Sequence, residues 1–149
     1  AVVDAVGAGR TGIRLSPVSP ASGAFDSNPQ HVFFPLVREL NRFGLAYVHV
    51  VEGHTQGPRD FHGFDFVKLR KTFDGPWIVN NGYTREMAAE AIAEGNADLV
   101  AFGRPFVANP DLVERLRVGG PLNEVDWKHT FGGDEHGYTD YPTLEASRV

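Results

Sequence analysis

The chain has 149 residues, 42% of them hydrophobic and 11% aromatic, enough apolar material for one domain with a sizeable core. A formal charge of −5 excludes the clustered cationic face that nucleic acid or an anionic membrane requires, so any bound anion must be held by a local site. Zero cysteines exclude disulfides, thiolate metal sites and cysteine nucleophiles, and fit a reducing, cytoplasmic setting.

Residues 1–10, AVVDAVGAGR, read as the last turns of a helix ending at Gly7 or Gly9, with Val2, Val3 and Val6 on one side. The chain is therefore expected to begin within an element, the rest of its fold being a lost segment or a separate chain. No signal peptide is visible, and no apolar stretch reaches the length of a membrane span. Four apolar runs follow, GIRLSP (12–17), LAYVHVVE (45–52), PWIVNN (76–81) and LVAFG (99–103), each succeeded by turn residues and a helical pattern. That alternation predicts parallel βα units. Between the runs, Phe33, Leu36, Val37, Leu40 and Phe43 hold helical spacing up to Gly44, with Pro35 at a first turn or a kink. Phe66, Leu69, Arg70 and Phe73 suggest a shorter helix. Thr84 is the expected N-cap of a helix whose stop is Gly95. Asn109, with Pro110 and Asp111, reads as the strongest helix start in the chain. Four such units fit either an open doubly wound sheet or half of a (β/α)8 barrel. From about residue 120 the pattern gives way to a polar, aromatic-rich tail, of the kind that crosses a surface or covers a site mouth.

In parallel βα proteins the functional end lies at the C-terminal ends of the strands. Arg14 sits inside the first strand, where a charge must meet an anion, a polar acceptor or a core carboxylate. Asn80, Asn81 and Gly82 follow the third strand, and Gly103 and Arg104 the fourth. Glycine permits close approach of a ligand to the backbone, and free N–H groups at a helix start favour phosphate. If these are strands seven and eight of a barrel, Gly103 and Arg104 hold a phosphate, faced by Asn81 and Gly82; the alternative is a plain turn with a solvated charge. The six histidines show no metal-ligand spacing, so no metal site is expected. No nucleophile elbow and no P-loop is present.

In order along the chain, GIRLSP, AYVHVVE, NNGYT, LVAFGRPFVANPDLVERL, PLNEVD and GYTDYPTL resemble the C-terminal portion of the old yellow enzyme family of FMN-dependent ene-reductases and nitrate-ester reductases. The likeness runs from about Gly12 to Leu144, and the pairing of AFGRPFVANPDL with GYTDYP is its most specific part. The resemblance implies an α/β fold, the C-terminal half (strands 5–8) of a (β/α)8 TIM barrel. It further implies an FMN site in which Arg14 lies by the flavin's pyrimidine side, while Asn81, Gly82, Gly103 and Arg104 bind the phosphate. NADH or NADPH would be the reductant, and the tail would cover the site. Phe131 of the segment Thr130-Phe131-Gly132-Gly133 would line the substrate pocket, at a position where many members carry tyrosine. The family's substrate-anchoring pair and proton-donating tyrosine correspond to positions upstream of Ala1. The resemblance therefore assigns no catalytic residue to this chain, and implies that a small-molecule substrate is turned over only with the N-terminal half of the barrel. Two other readings stay open: a non-enzymatic phosphate- or flavin-binding half-barrel, and a phosphosugar-type barrel enzyme.

Overall fold

A computed structural model describes residues 1–23, 25–55, 57–131 and 134–145. They fall into two compact units, Ala1–Ala101 and Phe102–Val149.

The first unit is a four-stranded parallel sheet with helices on one face. Its strands are β1 (Gly12–Leu15), β2 (Tyr47–Val51), β3 (Trp77–Asn80) and β4 (Leu99–Ala101), hydrogen-bonded in chain order. All three pairings are parallel, which a βα repeat of right-handed crossovers produces. The helices are α1 (Val2–Val6), α2 (Pro29–Leu40), α3 (Phe66–Arg70) and α4 (Arg85–Ala93). Each predicted strand is present, shortened at its ends, and α1 stops at Gly7, whose φ of 90° suits glycine. α2 begins with Asn28, whose side chain accepts from the His31 amide, and with Pro29 in the first turn, leaving Pro35 inside the helix. Asp65 caps α3 by accepting from Lys68 N, and Thr84 caps α4 by accepting from Met87 N, the latter as expected.

Alternation along the strands sorts their side chains. Leu15, Val48, Val50, Trp77 and Val79 face the helices and join Val37, Leu40, Phe66, Leu69, Phe73 and Ala91 in one buried core. Gly12, Arg14, Tyr47, His49, Ile78, Asn80, Leu99 and Ala101 alternate onto the opposite face, where Tyr47 and Leu99 are exposed. The Tyr47 ring lies against its register partner Gly12, where a Cβ would push the exposed ring aside.

The second unit holds α5 (Arg104–Ala108) and α6 (Leu112–Val118), with the tail folded onto α6. Arg115 is buried to 2% exposure and organises this packing. Its guanidinium donates to Asp111 Oδ1 (2.7 Å) and to the carbonyls of Pro121 (2.6 Å) and Pro142 (2.8 Å). The helix start expected at Asn109 is corrected by two residues: Asp111 is the N-cap position, and Asn109 closes α5. The reason is burial. The Asn109 amide, fully buried, must satisfy both its donor and its acceptor, and does so by donating to the Pro105 carbonyl (2.8 Å) and accepting from Asn123 N (2.8 Å).

Candidate functional site

In the first unit the polar groups gather at the C-terminal ends of the strands. On the open face, Arg14 Nη2 donates to Asn80 Oδ1 at 3.1 Å, reaching from β1 to β3 across β2. Asn80 in turn donates to the Ala101 carbonyl at 2.7 Å, so one amide joins β1, β3 and β4. His49 is the register partner of Arg14, and its Nε2 is buried without a hydrogen-bond partner. Burial first, and the nearby Arg14 charge second, hold His49 below the usual imidazole pKa and favour its neutral form. The expected polar acceptor for Arg14 is thus Asn80 in place of a core carboxylate.

Behind this face a second network locks the loops after β2 and β3. Glu52, 7% exposed, accepts from Arg59 Nη2 (2.9 Å) and from the Tyr83 hydroxyl (2.6 Å) with the same oxygen. Arg59 stacks over the Tyr83 ring at 4.1 Å and donates its other nitrogen to the Asn81 carbonyl at 2.9 Å. Burial raises the Glu52 pKa despite the opposing effects of the Tyr83 bond and the Arg59 charge, and burial with the adjacent Glu52 raises that of Tyr83. A cleft of about 550 Å³ beside the network is lined by Glu52, Arg59, Phe61, Tyr83 and Met87, among residues of α3 and α4.

Asn81 is placed differently from a residue whose side chain faces a ligand. Its amide donates to the Glu52 carbonyl (2.7 Å) and the His54 carbonyl (2.9 Å), in a left-handed conformation with φ 104°. What the turn leaves for a ligand is its backbone, continued by Gly82 at φ 66°. Glu52, Arg59 and Tyr83 escape a sequence reading because their contacts join two separate loops, those after β2 and β3. The signal available was a carboxylate ending an otherwise apolar strand.

In the second unit, Gly103 is the N-cap of α5 and supplies no side-chain cap. A Cβ on Gly103 would meet nothing within 4 Å, so its surroundings are open. Arg104, exposed in the first turn of α5, joins none of the ion pairs among the described residues. A cation at a helix N-terminus repels the helix dipole, an arrangement that becomes favourable with an anion between them. Phe131 is 75% exposed; Gly132 and Gly133 lie outside the described residues.

Residues 1–123 match the model of the NADH:flavin oxidoreductase / NADH oxidase family. The chain is 39% identical to 12-oxophytodienoate reductase 2 of Arabidopsis thaliana over 150 aligned positions, covering 99% of this chain and 40% of that protein. Among solved structures, the old yellow enzyme from Trypanosoma cruzi superposes with a TM-score of 0.88 at 39% identity, covering 96% of this chain and 37% of that one. Morphinone reductase in complex with tetrahydroNAD gives 0.86 at 42% identity, with 99% and 39% covered. The chain thus spans about 40% of the length of the relatives it matches, and its parallel βα sheet is part of their (β/α)8 barrel. With the family model covering most of its length and the same four βα units present, the chain belongs to the NADH:flavin oxidoreductase / NADH oxidase family, the family of the old yellow enzymes.

Proposed function

We propose that the chain supplies much of the FMN site of an NAD(P)H-dependent reductase acting on activated alkenes or on nitro and nitrate-ester compounds. The observation that carries this reading is Arg14. It is a cation on the open sheet face with an amide for its partner and no carboxylate, next to a buried imidazole nitrogen that has no partner. The arginines used for structure, half-buried Arg59 and buried Arg115, each hold a carboxylate.

The residues present fit the group. A flat heteroaromatic ring edged with donors and acceptors suits Arg14, Asn80 and the orphaned His49 Nε2, and a phosphate suits an uncapped helix start followed by a free arginine. A flavin bound there would supply hydride-transfer chemistry between nicotinamide and substrate. Arg14 holds a fixed positive charge by the pyrimidine side of the ring, favouring negative charge there. Asn80 orients that guanidinium by accepting one of its N–H bonds. Gly103 and Arg104 would hold the phosphate. Phe131 gives the substrate pocket an apolar wall without a hydroxyl.

Anchoring of the substrate and delivery of the proton fall to the remaining strands of the barrel, so this chain by itself is inactive. A parallel sheet is buried on both faces in a finished fold, and the exposed Tyr47 and Leu99 mark the face those strands would cover. The names 12-oxophytodienoate reductase and morphinone reductase support a reductase over a non-catalytic or phosphosugar barrel.

The test compares FMN with riboflavin, which lacks the phosphate. In the protein assembled with its remaining strands, Arg104→Ala should weaken FMN binding by about 2–4 kcal/mol, because a buried phosphate loses a charge-assisted bond. Riboflavin binding should hardly change. Equal losses for both, measured by fluorescence quenching, would remove Arg104 from the phosphate.

A further inference from the structure

We propose that Asp126, His129 and His136 form a binding site for one divalent transition-metal ion, zinc in type, in the second unit. The spacing of the histidines gives no sign of it, and the sequence reading expected no metal. The fold nevertheless brings one donor atom from each of the three residues to within 4.8 Å of one another.

Three features of the geometry carry the inference. First, His136 Nδ1 is paired with Asp140 Oδ2 at 2.9 Å, and the other oxygen of Asp140 accepts from Gly137 N at 2.8 Å. This is the carboxylate–imidazole pairing that fixes the tautomer of a metal-bound histidine, and it leaves Nε2 with its lone pair for an ion. Second, the His129 and His136 rings lie 4.9 Å apart, and His129 Nδ1 is 2.8 Å from Asp126 Oδ2, so two nitrogens and an oxygen converge. Third, the backbone beneath is built for the approach. Gly137 adopts φ 69°, and a Cβ there would stand 2.9 Å from His129 Cβ and 3.6 Å from Asp126 Cβ.

Two imidazoles and a carboxylate are the donor set zinc accepts, with bonds of about 2.0–2.1 Å and a fourth position left to water. Ligand atoms on such an ion lie about 3.3 Å apart, from tetrahedral geometry at those bond lengths. Asp126 and His129 are half-buried and His136 is exposed, which leaves the three side chains room to rotate to that spacing.

Titration of the purified, metal-free protein with zinc chloride by calorimetry tests the site. One ion per chain is expected, and cobalt chloride should give the intense visible absorption of a four-coordinate ion. His129→Gln and His136→Gln should each weaken binding by about 100-fold or more, and Asp140→Asn by about 10- to 100-fold through the lost orienting bond. His62→Gln serves as control. It removes one member of the other close histidine pair, His54 and His62, whose Nε2 atoms are 2.7 Å apart, and should leave the affinity unchanged. Circular dichroism checks that each variant is folded, and the cobalt spectrum of the unaltered protein reads the ligand set without any substitution. No saturable binding up to millimolar zinc would overturn the proposal. So would a six-coordinate cobalt spectrum, or an affinity that survives replacement of both His129 and His136.

Discussion

Replacing Glu52 by alanine and by glutamine separates the hydrogen bonds of its carboxylate from its charge. One oxygen of Glu52 accepts from both Arg59 and Tyr83, and the side chain is almost fully buried. Alanine removes the acceptor. Two charge-assisted hydrogen bonds, each worth about 1.5–3 kcal/mol, are lost, for a destabilisation of about 3–6 kcal/mol. Glutamine keeps an oxygen that can accept both bonds and removes a charge that burial disfavours, so its cost should stay below about 1.5 kcal/mol. Urea unfolding followed by fluorescence reads the difference, since Trp77 is buried in β3 of the same unit. The pH dependence carries an independent sign. The native pKa of Glu52 lies above its ordinary value of 4.5, so the native state binds the proton more tightly than the unfolded chain. Stability of the unaltered protein relative to Glu52→Gln should therefore rise as pH falls through the raised native value, and level off below about 4.5. A glutamine variant as unstable as the alanine variant, or a relative stability that falls with acid, would refute the balance of burial over ion pairing.

In the flavin-loaded protein, Arg14→Met keeps much of the side-chain length and removes the charge, and should lower the reduction potential of the bound flavin; an unchanged or raised potential by potentiometry would place Arg14 elsewhere. Phe131→Tyr should alter kcat/KM by about 0.5–1.5 kcal/mol for substrates whose nitro or carbonyl group reaches the new hydroxyl, and little for others; a uniform response with a lowered Tm would take Phe131 out of the pocket. Arg115→Met should destabilise the second unit by about 3 kcal/mol or more, because Asp111 Oδ1 and the Pro121 carbonyl lose their donor, and the Pro142 carbonyl keeps only Asn123 Nδ2. Fluorescence of Trp127, which lies in the same unit, follows that transition, and a cost under about 1 kcal/mol would contradict the role given to Arg115.

What the sequence determined by itself was local. The four βα units, the stop of α1 at Gly7 and the Thr84 cap all follow from hydrophobic period and from side chains that bond amides three residues away. The likeness of AFGRPFVANPDL and GYTDYP likewise marks the family, because such strings hold a whole turn-and-helix start in one stretch. Tertiary structure decided whatever depends on residues far apart in the chain. Asn81 reads as a ligand-facing turn residue, yet its amide ties the β2 and β3 loops together, since the carbonyls of Glu52 and His54 arrive beside it only when the sheet forms. Asn109 has the residue type and neighbours of a cap, but burial against Asn123 gave its amide other partners. Asp126, His129 and His136 have no ligand spacing, and converge because Gly137 lets one turn of the tail close over another. Local patterns follow from torsion angles and hydrogen bonds within a few residues, which a sequence displays in order. Networks such as Glu52–Arg59–Tyr83 reach across the chain, Tyr83 lying 31 residues from Glu52, and only packing brings the two to bonding distance.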